Sequence, residues 1–175
     1  MGSVSSALCS MVANLTTGKK KYAEFEEDIQ RIIAEGDVIR AKLIDLVFDD
    51  AEAFEPLSKA YGIPKEDPER DAKLEEATIN ALAAPLEMMR QIAKAIELLE
   101  ELKVKGSKML ISDVACGAVM SAAAMRAAAL NVFINTKSLR DRDLAAKLEA
   151  EADELLAFVP RAKSVADNIT EYIRG

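Results

Sequence analysis

Apolar side chains recur every three or four positions along most of this chain. One run reads Tyr22, Phe25, Ile29, Ile32, Ile39, Leu43, Leu46, Ala53 or Phe54, and Leu57. That spacing is one face of an amphipathic helix. Five helical stretches are predicted. The first, about Ser3 to Thr16, is short, rich in small residues and broken by Thr17-Gly18. The second runs from about Lys19 to Ala60, with a candidate interruption at Gly36 and a stop at Gly62-Ile63-Pro64. The third spans about Asp71 to Lys103 on a stripe from Leu74 through Ile92 and Ile96 to Leu102. Pro85 lies inside it and cannot donate to the carbonyl of Ala81, so a kink is expected. The fourth runs from about Ser112 to Lys137, with Ser112 as its N-cap and Asp113 beside the positive helix end. The fifth spans about Arg142 to Ile173, with a bend at Pro160.

No alternating β pattern and no hairpin turn signal interrupts these stretches. The fourth is mostly Ala, Gly and Ser between Ala115 and Ala129. Small residues on nearly all sides allow neighbouring helices to approach closely. The expectation is an all-α, antiparallel multi-helix bundle around a central Ala-rich helix, with residues 1–175 as a single domain.

Composition narrows the chemistry. The chain has 175 residues, 30% charged, with a formal net charge of −7. That excess argues against nucleic acid, which needs a basic face, and against an anionic membrane surface. The stretch Val114 to Ile134 is apolar, but Arg126 and Asn131 lie within it, so a buried helix is expected rather than a membrane span. There is no His. A Ser-His-Asp triad and imidazole metal sites are therefore excluded, and no metal is expected. Cys9 and Cys116 have no metal spacing and read as small core residues, which fits a reducing, cytoplasmic setting.

Three constellations stand out. Asp50 takes the step between Leu46 and Phe54 on an apolar stripe. A carboxylate there is either paired structurally or used as a general acid or base. Asn131 and Asn135 are one turn apart and share a face. Their amides suit the edge of a heterocycle, or a polar clamp between helices. Lys19-Lys20-Lys21 is the one basic run, at a helix start where cations are electrostatically unhelpful. It fits the carboxylates of an acidic ligand, or a solvated helix end.

At these residues the chain resembles the cyclodeaminase/cyclohydrolase family, which includes the C-terminal domain of formiminotransferase-cyclodeaminase and stand-alone methenyltetrahydrofolate cyclohydrolases. The matching stretches are SMVANLTTGKKKY (Ser10 to Tyr22), DDAEAF (Asp49 to Phe54), YGIPK (Tyr61 to Lys65), APLE (Ala84 to Glu87), SDVACGA (Ser112 to Ala118) and NVFINTKSL (Asn131 to Leu139). The resemblance implies an all-α fold, a homodimer and a folate ligand in a cleft. It implies Asp50 as the catalytic residue, with Phe54, Ser112, Asp113, Asn131 and Asn135 lining the cleft and Lys19 or Lys20 meeting the glutamate tail. No cofactor beyond the folate substrate is implied. The implied reaction is hydrolysis of 5,10-methenyltetrahydrofolate to 10-formyltetrahydrofolate. Cyclodeamination of 5-formiminotetrahydrofolate and a non-catalytic folate- or protein-binding dimer are the alternatives. One departure concerns the N-terminal segment. Only Gly2-Ser3-Val4 stands where the family carries a longer glycine-rich loop, and the segment before Met11 is about two helical turns short.

Overall fold

The computed structural model describes all residues, Met1–Gly175, and contains six α-helices with no strand. They are α1 (Gly2–Asn14), α2 (Glu26–Tyr61), α3 (Arg70–Lys105), α4 (Ile111–Thr136), α5 (Arg142–Leu156) and α6 (Phe158–Arg174), with 3-10 turns at Lys20–Phe25 and Lys108–Leu110. The bundle class is as expected, and four boundaries differ. Gly36 does not interrupt α2; instead it lets α1 lie close, and the Ser6 hydroxyl donates to its carbonyl at 2.9 Å. Lys19–Phe25 lies ahead of α2 in a 3-10 turn rather than in its first turns. The fifth stretch divides at Ala157. Pro160 offers no N–H to the carbonyl of Leu156, so the ladder ends there and restarts with Pro160 in the first turn of α6, where an N–H is not needed. Ser112 lies inside α4 and makes no capping hydrogen bond, because the preceding 3-10 turn already leads the chain into the helix.

Helix α1 is wedged between α2 and α4 and runs antiparallel to both. Ser6 and Ser10 face Gly36 of α2, while the Ser5 hydroxyl donates to the carbonyl of Gly117 (2.8 Å) and shares a hydrogen bond with Ser121 (2.6 Å) on α4. A Cβ on Gly117 would stand 3.0 Å from Leu99, so glycine is what admits α3 there. Beneath this layer α3 supplies the centre of one 35-residue core cluster, including Ile96, Leu99 and Leu102. Side chains buried to this degree each contribute about 1.5–3 kcal/mol. Ion pairs strap the layers at the surface: Arg31 and Lys105 with Asp28 and Glu101, Arg90 with Glu151, and Arg161 with Glu100. Solvated pairs of this kind are worth about 0–1 kcal/mol each.

Helix α4 touches α1, α3, α5 and α6, yet it is not enclosed. Its outward stripe is Ser112, Cys116, Val119, Ala123, Ala127, Leu130 and Ile134, with Leu130 68% and Ile134 61% exposed. Cys116 is thus a surface residue rather than a core one: its position lies on the outward stripe of the helix. Cys9 is buried as expected. By length and apolarity alone the segment Lys108–Thr136 could cross a membrane. Packing against four helices accounts for its inner faces, and the stripe accounts for the rest. Val4 and Met11 on α1, Leu15 just after it, and Ile44, Val47 and Phe48 on α2 are also exposed.

Candidate functional site

Helices α2 and α4 run in the same direction on either side of α1. Both continue past its first turn, and a cleft opens between them there. It is lined by Met1, Gly2 and Ser3 of α1, Leu43 and Val47 of α2, Met88 and Ile92 of α3, and Ala124, Ala127, Ala128 and Asn131 of α4. Its volume is about 220 Å³. Gly2 is pressed into the base; a Cβ there would lie 3.1 Å from Ile92 and 3.3 Å from Leu43. Larger grooves exist, notably one of about 490 Å³ between α2 and α3. That groove holds Arg31, Glu35 and Glu101, already engaged in ion pairs with one another. The cleft is the better candidate because Asn131 lines it and the unpaired carboxylate of Asp50 lies one turn beyond Val47, on the α2 face that forms its other wall.

Asp50 continues the α2 face that lines the cleft: Leu43, Val47, Asp50 and Phe54 follow one another at three- and four-residue steps. Its placement corrects one expectation. Asp50 is exposed, not buried, since the stripe bifurcates at Leu46 and only the Leu46 side turns into the core. Phe54 is 62% exposed for the same reason. Partial desolvation still raises the Asp50 carboxyl above its ordinary value of 3.8. No hydrogen bond or ion pair is made to it, so nothing inside the chain stabilises its charge. The carboxylate is thus available to a ligand.

On the opposite wall Asn131 lines the cleft, and its amide donates to the carbonyl of Ala127 at 3.1 Å, leaving its oxygen free. Asn135 is half-buried one turn further along. The end of α4 beneath these amides is held firmly. Thr136 donates to Glu149 at 2.6 Å, and Arg142 caps the carbonyls of Thr136 (2.9 Å) and Leu139 (3.2 Å). Glu75 accepts the backbone N–H groups of Arg140 and Asp141.

The remaining expected site residues lie at the far end of the molecule. Lys19, Lys20 and Lys21 are exposed in the turn after α1. That turn is docked on the start of α4: Ser107 donates to Thr16 at 2.9 Å, and the Lys108 N–H donates to Tyr22 at 3.0 Å. Exposed Ser112 and half-buried Asp113 follow one turn on. At about 1.5 Å per residue, Asn131 lies about 28 Å along α4 from Ser112. Asp50 lies about 36 Å along α2 from Glu26, with the lysines beyond that. One chain therefore gathers Asp50, Phe54, Asn131 and Asn135 at one pole and Lys19, Lys20, Ser112 and Asp113 at the other. Sequence reasoning did not identify Val47, Met88 or Ile92 as cleft residues. The signal for Val47 was available, one turn from Leu43 and one from Asp50. No group of three or more His, Cys, Asp or Glu side chains converges as a metal ion would require.

Comparison with known proteins bears on this cleft. The family model for formiminotransferase-cyclodeaminase matches residues 1–154. The chain is 40% identical over 178 residues to a methenyltetrahydrofolate cyclohydrolase of Methylorubrum extorquens, spanning 99% of this chain and 84% of that protein. It is 33% identical over 154 residues to the formimidoyltransferase-cyclodeaminase of Sus scrofa, covering 86% of this chain but 28% of that longer protein. The crystal structure of a formiminotetrahydrofolate cyclodeaminase from Thermotoga maritima superposes with a TM-score of 0.90 at 31% identity, covering 99% of this chain and 85% of that one.

Proposed function

Because the chain belongs to the formiminotransferase-cyclodeaminase family, we propose that it hydrolyses 5,10-methenyltetrahydrofolate to 10-formyltetrahydrofolate in one-carbon metabolism. The observation that carries this reading is the 40% identity to a cyclohydrolase across nearly the whole of this chain. The cleft adds chemistry that suits the substrate. The methenyl bridge carries a positive charge delocalised between N5 and N10, and an unpaired carboxylate favours that charge beside it.

In the proposed mechanism Asp50 takes a proton from water as the water oxygen bonds to the bridging carbon. The charge on the bridge is neutralised, and a tetrahedral adduct forms. Cleavage of the carbon–N5 bond requires a proton on N5, which the Asp50 carboxyl returns. The adduct hydroxyl releases its proton to solvent as the formyl carbonyl forms, so the net products are 10-formyltetrahydrofolate and one proton. A carboxyl raised by desolvation is better placed to both accept and return a proton than an ordinary one. Asn131 and Asn135 meet the pterin edge or the adduct oxygen and Phe54 packs on the ligand; Lys19 and Lys20, at the other pole of their own chain, meet the glutamate carboxylates of a folate held by the second copy of the dimer. Ser112 and Asp113 belong with those lysines. The same proposal includes a homodimer, supported by the exposed apolar stripes of α1 and α4.

The likeness to the Thermotoga cyclodeaminase favours a second reading, in which 5-formiminotetrahydrofolate cyclises with loss of ammonia and Asp50 protonates the leaving nitrogen. The deciding experiment supplies each folate in turn to the purified protein and to a folded Asp50→Asn variant. Loss of the near-ultraviolet absorbance of the methenyl substrate above the buffer rate, reduced about 10²–10⁴-fold in the variant, is the expected result. Ammonia release from the formimino substrate alone would transfer the assignment to the deaminase. Turnover undiminished in Asp50→Asn would remove Asp50 from the chemistry.

A further inference from the structure

Resting on the folate reading above, we infer that Glu75 is a positioning residue: its carboxylate clasps the α2–α3 hairpin, which carries Asp50, to the loop after α4, and so fixes the Asp50 wall of the cleft against the Asn131 wall.

No hydrogen bond or ion pair joins α2 to α4 directly. Further along the molecule α1 fills the space between them, through Ser5 toward α4 and Ser6 toward α2. At the cleft pole α1 no longer intervenes, and each wall has its own support. The Asn131 wall is held by α5 through Thr136 and Glu149. The Asp50 wall belongs to a hairpin that packs largely on itself. The main core takes in α2 only as far as Leu46 and α3 only from Leu82 onward. Beyond these, Leu57 and Ala60 pack with Ala77 and Ala81 in a separate cluster. Pro85, one turn beyond Ala81, offers no N–H to its carbonyl, which weakens the α3 ladder where the two clusters meet. Alongside, a groove of about 410 Å³ runs between α3 and α5, lined by Ile79, Leu82, Leu86, Leu144 and Leu148, so close packing does not secure the hairpin on that side.

Glu75 spans this loosely packed region. One carboxylate oxygen accepts the backbone N–H groups of Arg140 (3.1 Å) and Asp141 (3.0 Å), and the other accepts the Arg140 N–H at 2.8 Å. These are charge-assisted bonds to amides at the start of a helix, since Asp141 is the N-cap of α5 and accepts the N–H of Leu144. The Arg140 side chain adds an exposed ion pair with Asp71. Glu75 and Asp71 make the only side-chain hydrogen bonds from residues 47–81 to another part of the chain. Glu75 makes none to Asp50 or Asn131; it acts on the cleft through the two elements it joins.

A substrate that spans both walls binds only when they stand at the right separation. Loosening the clasp therefore lowers affinity by the fraction of molecules that keep that separation. Glu75→Ala is expected to raise KM for 5,10-methenyltetrahydrofolate on the order of tenfold and to leave kcat within about twofold. Loss of folded protein would instead lower the maximal rate at an unchanged KM. Glu75→Gln keeps an oxygen for both N–H groups and should lie between Glu75→Ala and wild type. Arg140→Gln removes only the exposed ion pair and should stay within about threefold of wild type. In parallel, spin labels at Glu52→Cys and Lys137→Cys, in a Cys116→Ser background diluted with unlabelled chain, report the separation of the two walls. The distance distribution is expected to be narrow with Glu75 intact and to broaden toward longer separations in Glu75→Ala. An unchanged KM, or a distribution that Glu75→Ala leaves as it was, would overturn the positioning role. Absent wild-type turnover would count against the folate reading alone, and the distances would still decide whether Glu75 holds the walls together.

Discussion

The contact between Ser10 and Gly36 makes a sharp prediction about what holds α1 in its wedge. Ser10 is buried, and its hydroxyl is the one buried side-chain polar atom without a hydrogen-bond partner. A Cβ added at Gly36 would stand 2.7 Å from that hydroxyl oxygen, but 3.9 Å from the Ser10 Cβ and 3.8 Å from its backbone nitrogen. Two effects oppose each other in Gly36→Ala. Replacing glycine inside a helix gains about 1 kcal/mol, whereas overpacking costs about 1–3 kcal/mol. The single variant is therefore expected to be neutral or less stable by up to about 2 kcal/mol. Ser10→Ala removes an unsatisfied hydroxyl whose desolvation costs about 1–3 kcal/mol, so it should be neutral or stabilising. In that background the clash is gone, and Gly36→Ala should raise stability by about 1 kcal/mol. Urea denaturation of the four proteins at one chain concentration measures the cycle, with an expected coupling of about 1–3 kcal/mol. Additive effects would refute the reasoning, since they would mean that Gly36 is not required by the approach of α1.

Further outcomes follow from the site and the surface. Turnover should fall on the acid side with an inflection above 3.8, because Asp50 must be ionised to take the water proton and its desolvation raises the pH at which it ionises; an inflection at or below that value would contradict the assignment. Val119→Asp puts a charge on the apolar α4 stripe and should give a folded monomer by light scattering and circular dichroism; an unchanged dimer would place the interface elsewhere. The same variant should expose Cys116 to rapid alkylation that wild type resists, while the Cys9 thiol, pushed up to about 12 by burial and by the Glu101 and Glu35 charges, stays unreactive in both. Acid stability should depend on the Arg31–Lys105 strap. Lys105 and Arg31 hold Asp28 below its ordinary 3.8, and their hydrogen bonds outweigh burial to hold Glu101 below 4.5. That contribution is present above those ordinary values and is lost as pH falls through the lower folded ones, so Arg31→Met should flatten the decline in urea midpoint below about pH 4.5.

The bundle was legible because its signal is local. The three- and four-residue steps through Ile29, Leu43, Ile92 and Ile169 are set by each helix on its own, and the Gly62 stop needs no knowledge of neighbours. The division at Ala157 was half visible, since Pro160 marked the bend but not that the ladder would stop. Asp50 was picked out for a reason the fold amends: periodicity marks the apolar stripe of a helix, but not where that stripe passes from a packed neighbour to open space. Cys116 and the rest of the α4 stripe went unread for the converse reason. A helix of alanines has no polar side to announce which face is bare. The separation of Lys19 from Asp50 needed helix lengths and directions together, and no spacing within one stretch carries that.

The wedged position of α1 also sets a timetable for folding during synthesis. Helix α1 is made first, yet its Ser5 hydrogen bond to Gly117 joins residues 112 apart in the chain. At about 5–20 residues per second, α1 waits roughly 6–20 s for its second wall to emerge. In that interval α2 and α3 can close into a hairpin on their own, and α1 can rest its Ser6 side on Gly36. Its Ser5 side stays uncovered until α4 arrives. A helix made before the other five thus waits for the fourth to be enclosed, and a ribosome pausing within the Ala-rich stretch would lengthen the period in which it is open to chaperone or protease.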